Sequence, residues 1–243
     1  MTPWPGDWLV PDWPAPANVR ACVTTRSGGV SLPPFDTFNL GDHVGDAPQA
    51  VAENRHRLRE ALGCDVTWLS QVHSCDVVDA AVSGRVADAC WTDVRRRACA
   101  VLTADCLPVL FCDRSGERVA AAHAGWRGLA GGVLENTLAA LQVPPEEVLV
   151  WLGPAIGPHA FEVGPEVRQA FLEGHAEAAV AFVPSVNAGR FMADLYALAR
   201  LLLAASGVRS VHGGGFCTYS DPRFYSYRRN ARTGRFASLV WLV

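Results

Sequence analysis

Between residues 98 and 125 the chain reads ACAVLTADCLPVLFCDRSGERVAAAHAG, apolar runs separated by short polar breaks. Runs this short, bounded by turn residues, point to strands. Residues 98–113 read as two short strand segments bent at Asp105-Cys106-Leu107-Pro108, because proline removes a donor from the ladder. Residues 118–125 read as a strand that ends in a glycine-rich turn with an imidazole, His123, at its tip.

Around this block, 19–26 alternates as a strand, 27–46 is a long loop rich in turn residues, and 66–82 reads as one or two strands. A buried strand over 147–157 and two closing strands, VRSVHGG and RFASLVWLV, complete the set. Helices are expected from Asp46, as N-cap, to about Leu62 with Gly63 as the stop, and over 131–142, 165–172 and 194–207. Strands and helices mix without a regular β-α-β alternation, which favours the α+β class over a doubly wound sheet.

Half of the 243 residues are hydrophobic and 19% are charged, enough apolar material for a substantial core. The net charge of −3 gives no electrostatic footprint for nucleic acid or an anionic membrane. All 21 basic residues are Arg, which we read as a base-composition habit more than a set of anion sites. The first twenty residues lack the pattern of a signal peptide, no run is long enough to span a membrane, and a cytoplasmic location is expected. Eight cysteines without a Cys-x-x-Cys pair then read as reduced thiols, most of them buried.

Three residues share one local setting, an apolar strand end running into a turn: His73 in SQVHSCD, Cys106 in TADCLP and His123 in AAHAGW. Taken singly, each is more commonly a core residue. Taken together, two imidazoles and a thiolate form a known catalytic zinc set with a fourth position open. The same residues also suit a metal-free Cys-His nucleophile with Asp105 or His73 as orienting partner. A multicopper centre is unlike this sequence, which has no His-x-His, and a mononuclear copper site would need an axial Met, for which Met192, at an expected helix start, is the internal candidate.

The segments TTRSGGVSLPPFDTFNLGDHVGD, QVHSCDVV, TADCLPVLFCD, AAHAGWRGLAGGVLENT, GPAIGPHAFEVGPEV and FYSYRRNARTGRFASLVWLV together resemble the YfiH family. Its members also carry the labels peptidoglycan editing factor, laccase-domain or polyphenol oxidase protein, and purine nucleoside phosphorylase. The resemblance implies one domain over 1–243 with 1–18 as an N-terminal extension, folded as a four-layer α/β/β/α sandwich with mixed sheets, related to cytotoxic necrotizing toxins. It implies zinc on His73, Cys106 and His123, with copper only as an adventitious occupant. It also implies phosphorolysis of adenosine, inosine and 5′-methylthioadenosine, and deamination of adenosine.

Deamination needs a proton carrier. The zinc deaminase signature is absent, so Asp105 and Glu162 are the expected candidates. Phosphate needs an anion site, for which Arg26, Arg228 and Arg127 stand out, the last opening an RGLAGG loop whose free N–H groups would face an anion. Asn39 and Gln71 are expected near the base or ribose. His43 reads as structural, beside the helix cap. Ser74 stands where the family commonly has Gly, Gly215-Phe216 where a charged pair is frequent, and Asn230 where Asp is usual. The expected partners are nucleosides and phosphate, and the expected state is monomer or homodimer. The alternatives are a Cys-His amidase acting on peptidoglycan precursors and a non-enzymatic quality-control protein.

Overall fold

A strand sends alternate side chains to opposite faces, so a strand that is apolar throughout must be covered on both. That requirement organises the whole chain. The structure, a computed structural model, describes residues 7–82 and 86–243. Its strands are β1 (Val19–Val23), β2 (Asp65–Thr67), β3 (Val77–Asp79), β4 (Ala89–Thr92), β5 (Arg97–Thr103), β6 (Leu107–Asp113), β7 (Val119–Ala124), β8 (Val148–Leu152), β9 (Glu162–Val163), β10 (Phe182–Pro184), β11 (Phe191–Ala193), β12 (Ser210–Gly213) and β13 (Phe236–Leu242). The helices are α1 (Pro48–Leu62), α2 (Trp126–Gly131), α3 (Val133–Leu141), α4 (Pro165–Leu172) and α5 (Leu195–Ala205).

Two sheets carry the fold, ordered β1-β13-β5-β2 and β12-β8-β6-β7-β4-β3, with a small β10-β11-β9 sheet at the side. Parallel pairs (β2/β5, β3/β4, β12/β8) occur among antiparallel ones, so the class is mixed α+β. On β7, Ala120, Ala122 and Ala124 pack under Leu134, Leu138 and Leu141 of α3, which α5, with Leu198 and Leu202, joins in the same core. Its other face, Val119 and Ala121, meets Cys99 and Val101 of β5 and Val240 of β13. The far side of β5, with Ala98, Ala100 and Leu102, packs on Leu58 of α1. Three apolar seams therefore separate four layers, helix, sheet, sheet, helix, as expected. Each fully buried Leu or Val in them contributes roughly 1.5–3 kcal/mol relative to exposure.

Several local expectations change. The two segments of 98–113 are not one bent strand pair: β5 lies in one sheet and β6 in the other. Pro108 sits inside β6, opposite His123, and its carbonyl accepts from Gly153 N–H (2.8 Å) just past the end of β8, where no ladder donor is required. Residues 66–82 give two short strands in different sheets. The buried strand expected over 147–157 stops at Leu152. Ala47, not Asp46, occupies the N-cap of α1, because the Asp46 carboxylate is taken by Ser31 and Asn39. Gly63 does end α1, at φ 63°. Met192 lies in β11 rather than at a helix start.

The RGLAGG segment is helix α2 rather than an open loop, so most of its N–H groups are not free for an anion. Of the N-terminal extension, residues 7–18 are described and 1–6 lie outside the described residues. Within it Trp8 is buried beside Phe38, and Leu9 bridges Val23. Among the described residues no helix is long and apolar enough to cross a membrane.

Candidate metal centre

The link from β5 to β6 crosses between the two sheets, and that crossing carries Cys106. Asp105, just before it, takes φ 98°, a left-handed turn that redirects the chain. His123 stands near the end of β7, in the sheet that β6 joins. His73 comes from the loop between β2 and β3, itself at φ 61°. The donor atoms of His73, Cys106 and His123 all lie within 4.8 Å of one another. Cys106 Sγ is 3.9 Å from His73 Nε2, and the two imidazole rings meet edge to face with centroids 4.8 Å apart.

One buried carboxylate holds two of these segments. Asp88, fully buried, accepts N–H bonds from Val72 (3.0 Å), His73 (3.0 Å) and Ser74 (2.6 Å), so three successive amides converge on it. Its Oδ1 also accepts from His123 Nδ1 at 2.7 Å. A carboxylate so placed is acceptor only, so Nδ1 carries a proton and Nε2 is the nitrogen left to offer a metal. Burial pushes the Asp88 carboxyl up, but the bonds from His123 and the backbone amides win and bring it down to about 2. Burial likewise raises the Cys106 thiol, yet the His123 and His73 rings bring it down to about 6. Burial lowers His123, while Cys106 and Asp88 raise it to about 9.

Gly125 makes the convergence sterically possible. A Cβ there would stand 2.9 Å from His73 Cδ2 and 3.1 Å from Cys106 Sγ. Ligands of a tetrahedral ion with bonds of about 2.0–2.3 Å sit roughly 3.3–3.7 Å apart, so three donors already within 4.8 Å suit one ion after small side-chain shifts. The carboxylate behind His123 is the usual outer partner of a metal-bound imidazole. The residues fit a metal with one coordination position left open.

The triad lies in a cavity of about 370 Å³. Gln71 lines it with both amide atoms tied to the Leu102 backbone (2.8 Å each). Asp105 lines it too, accepting from Thr218 Oγ1 (2.6 Å) and Arg228 N–H (2.6 Å). Arg228 completes this group, its guanidinium donating to the Ala160 and Glu162 carbonyls.

Four expected site residues lie elsewhere. Arg26 pairs with Asp36 at 2.8 Å in a separate hollow. Asn39 is wholly buried and serves backbone groups and Asp46. Arg127 is exposed, over the Trp126 ring. The Glu162 carboxylate is engaged by Ser185 and Asn187.

The cavity also holds residues that local sequence patterns missed: His43, Phe161, Tyr227 and Arg235 line it, and Asp88 stands behind it. His43 and Phe161 lie inside motifs already quoted, in GDHVGD and GPHAFEVG, but nothing in their spacing pointed toward Cys106.

Residues 20–243 match the family described as multi-copper polyphenol oxidoreductase laccase. A Pseudomonas aeruginosa protein named purine nucleoside phosphorylase is 69% identical over 237 residues, covering 97% of this chain and 98% of that protein. Purine nucleoside phosphorylase YfiH of Escherichia coli is 52% identical over 241 residues, with 97% and 98% covered. Among solved structures, a Neisseria meningitidis protein matches with a TM-score of 0.94 at 56% identity, covering 97% of this chain and 98% of that one. YlmD from Geobacillus stearothermophilus matches with a TM-score of 0.86 at 31% identity, covering 93% and 92%. With sequence and fold agreeing over nearly its whole length, this chain belongs to the YfiH family of laccase-like domains.

Proposed function

We propose that this chain is a cytoplasmic zinc enzyme acting on purine nucleosides. It cleaves adenosine, inosine and 5′-methylthioadenosine by phosphorolysis and deaminates adenosine to inosine. The observation that carries this reading is a single cavity that joins the His73–Cys106–His123 donor set to two aromatic rings, Phe161 and Tyr227, and two arginines, Arg228 and Arg235. The names of the relatives add support for a nucleoside and phosphate as substrates.

His73, Cys106 and His123 would hold the metal, and zinc suits a mixed imidazole and thiolate set. When bound, zinc supplies Lewis-acid chemistry, polarising a substrate atom or lowering the pKa of water to about 7. Phe161 and Tyr227 offer ring faces to a flat purine. In phosphorolysis a phosphate oxygen bonds to the ribose C1′ while the bond from C1′ to the purine nitrogen breaks. The electron pair leaves with the base, and ribose 1-phosphate remains. In deamination water adds at C6, the bond from C6 to nitrogen breaks, and ammonia departs with a proton. Asp105 is the carboxylate that lines the cavity beside Cys106, and we assign it that proton transfer. Glu162 is not among the residues that line the cavity, which favours Asp105 for the role.

The test is elemental analysis of the purified protein beside chromatography of adenosine incubated with and without phosphate. Stoichiometric zinc, adenine released only with phosphate, and inosine in either case support the reading. A folded protein that carries zinc and yields neither adenine nor inosine refutes it. Copper in place of zinc, with phenol oxidation, would favour the laccase description instead.

A second reading, a metal-free Cys106 hydrolase, draws on the contact of Cys106 with His73 at 3.9 Å. It predicts activity that survives chelators and is lost to alkylation of the thiol.

A further inference from the structure

Arg235 is a half-buried guanidinium with no carboxylate in contact, although Asp105 and Cys106 face it across the cavity. Among the described residues it forms no ion pair within 4.0 Å. Its Nη1 donates to the Thr233 (3.2 Å) and Gly234 (3.0 Å) carbonyls, and among the described residues no acceptor meets Nε or Nη2. A partly desolvated cation with donors that meet no protein acceptor is costly unless a ligand anion completes it.

The surroundings hold that side chain in place. The wholly buried Asn39 accepts the Arg235 N–H at 2.8 Å, and its amide is in turn tied to Asp46 at 2.9 Å. Leu40 N–H binds the Arg235 carbonyl at 3.1 Å. At Gly41 a Cβ would stand 2.8 Å from Arg235 Cγ, so a larger residue would collide with the arginine stem. Two residues on, the same loop delivers His43 to the cavity wall. Asp42 lies 3.6 Å from the His43 Nδ1 and is shared with Arg55 at 3.2 Å.

We propose that Arg235, with His43 at its side, is the oxyanion subsite that receives inorganic phosphate. The inference rests on the phosphorolytic reading and deepens it. Arg26 and Arg127, two earlier candidates for this anion, lie outside the cavity, whereas Arg235 shares it with Cys106 and His123. The free Nε–Nη2 edge of a planar guanidinium suits two oxygens of a tetrahedral anion. Asn39 and Gly41 are positioning residues for it, acting through Arg235 and not on the substrate.

The experiment uses the zinc-loaded protein, inosine as substrate and inorganic phosphate as probe. Phosphate binding is measured by calorimetry and phosphate KM by steady-state kinetics. Loss of a charge-assisted bidentate contact is worth about ten- to a hundredfold in affinity. Arg235→Gln should therefore raise the phosphate KM and Kd about tenfold or more, with the inosine KM moving less than about threefold. Arg235→Lys should recover part of the loss, and His43→Ala should weaken phosphate about threefold. Zinc content and the thermal midpoint check that each variant is folded.

A phosphate KM unchanged in Arg235→Gln, in a protein that phosphorolyses inosine, overturns the subsite and leaves the proposed function standing. A rise confined to the inosine KM overturns it as well, because Arg235 would then read the nucleoside. Parent protein that binds phosphate through Arg235 but releases no hypoxanthine refutes phosphorolysis and keeps the subsite.

Discussion

Removing the Asp88 carboxylate should cripple metal binding without touching a metal ligand. The carboxylate accepts four hydrogen bonds, from His123 Nδ1 and from the amides of Val72, His73 and Ser74. Asp88→Asn keeps the shape but turns one oxygen into an NH2 group. That group must face either the pair at Oδ1, His73 N–H and His123 Nδ1, or the pair at Oδ2, the Val72 and Ser74 amides. Donor then opposes donor on whichever side it lies. Each buried donor left without an acceptor costs about 1–3 kcal/mol. Some relief comes from water, since His73 is exposed. We expect a loss of about 2–4 kcal/mol of stability in urea unfolding. Zinc affinity, read by competition with a chromophoric chelator, should fall about 10–100-fold, because His123 loses its fixed tautomer and the His73 loop its anchor.

The same carboxylate gives a pH signature in the metal-free protein. Its pKa is depressed from 3.8 to about 2, so its contribution is fully present above 3.8 and is lost as pH falls through 2. The depression corresponds to roughly 2–3 kcal/mol, and Asp88→Asn should flatten that part of the acid profile. Zinc affinity within about threefold of the parent, in a folded Asp88→Asn variant, would refute the reasoning.

Cys106→Ala should lose zinc and both activities together; turnover that persists in zinc-free variant protein would make the metal structural only. Gly125→Ala places a methyl 2.9 Å from His73 and 3.1 Å from Cys106, so zinc affinity should drop about tenfold in the same chelator assay. Its stability should move little, because the exposed His73 can yield. Phe111→Ala empties a wholly buried site in the seam between the six-stranded sheet and its helices, and should cost about 3–5 kcal/mol in urea unfolding. Prolonged dialysis against a strong chelator should abolish nucleoside cleavage, and zinc should restore it; full activity after verified metal removal would favour the Cys106 hydrolase.

The sequence by itself determined which runs become strands and helices, and it singled out three candidate metal donors. Continuous apolar runs such as VLVWL and VLFCD demanded strands covered on both faces, and the spacing of Leu134, Leu138 and Leu141 demanded a helix to cover one of them. His73, Cys106 and His123 were legible because each ends an apolar run at a turn, a local setting that needs no partner to be noticed. What only the tertiary structure decided was which runs share a sheet and which loops share a cavity. β5 and β6 are joined by three residues yet belong to different sheets, since each strand follows its own apolar partners, and that split is what exposes Cys106 at the crossing. Arg26, Asn39, Arg127 and Glu162 carry suitable chemistry but find their partners elsewhere, in Asp36, in backbone amides, over Trp126 and in Ser185. Asp88 and Arg235 stayed hidden for the converse reason. Asp88 lies outside every quoted motif and Arg235 inside one whose spacing does not point to Cys106, and their hydrogen bonds reach groups 14 to 196 residues away, brought close by the packing of two sheets.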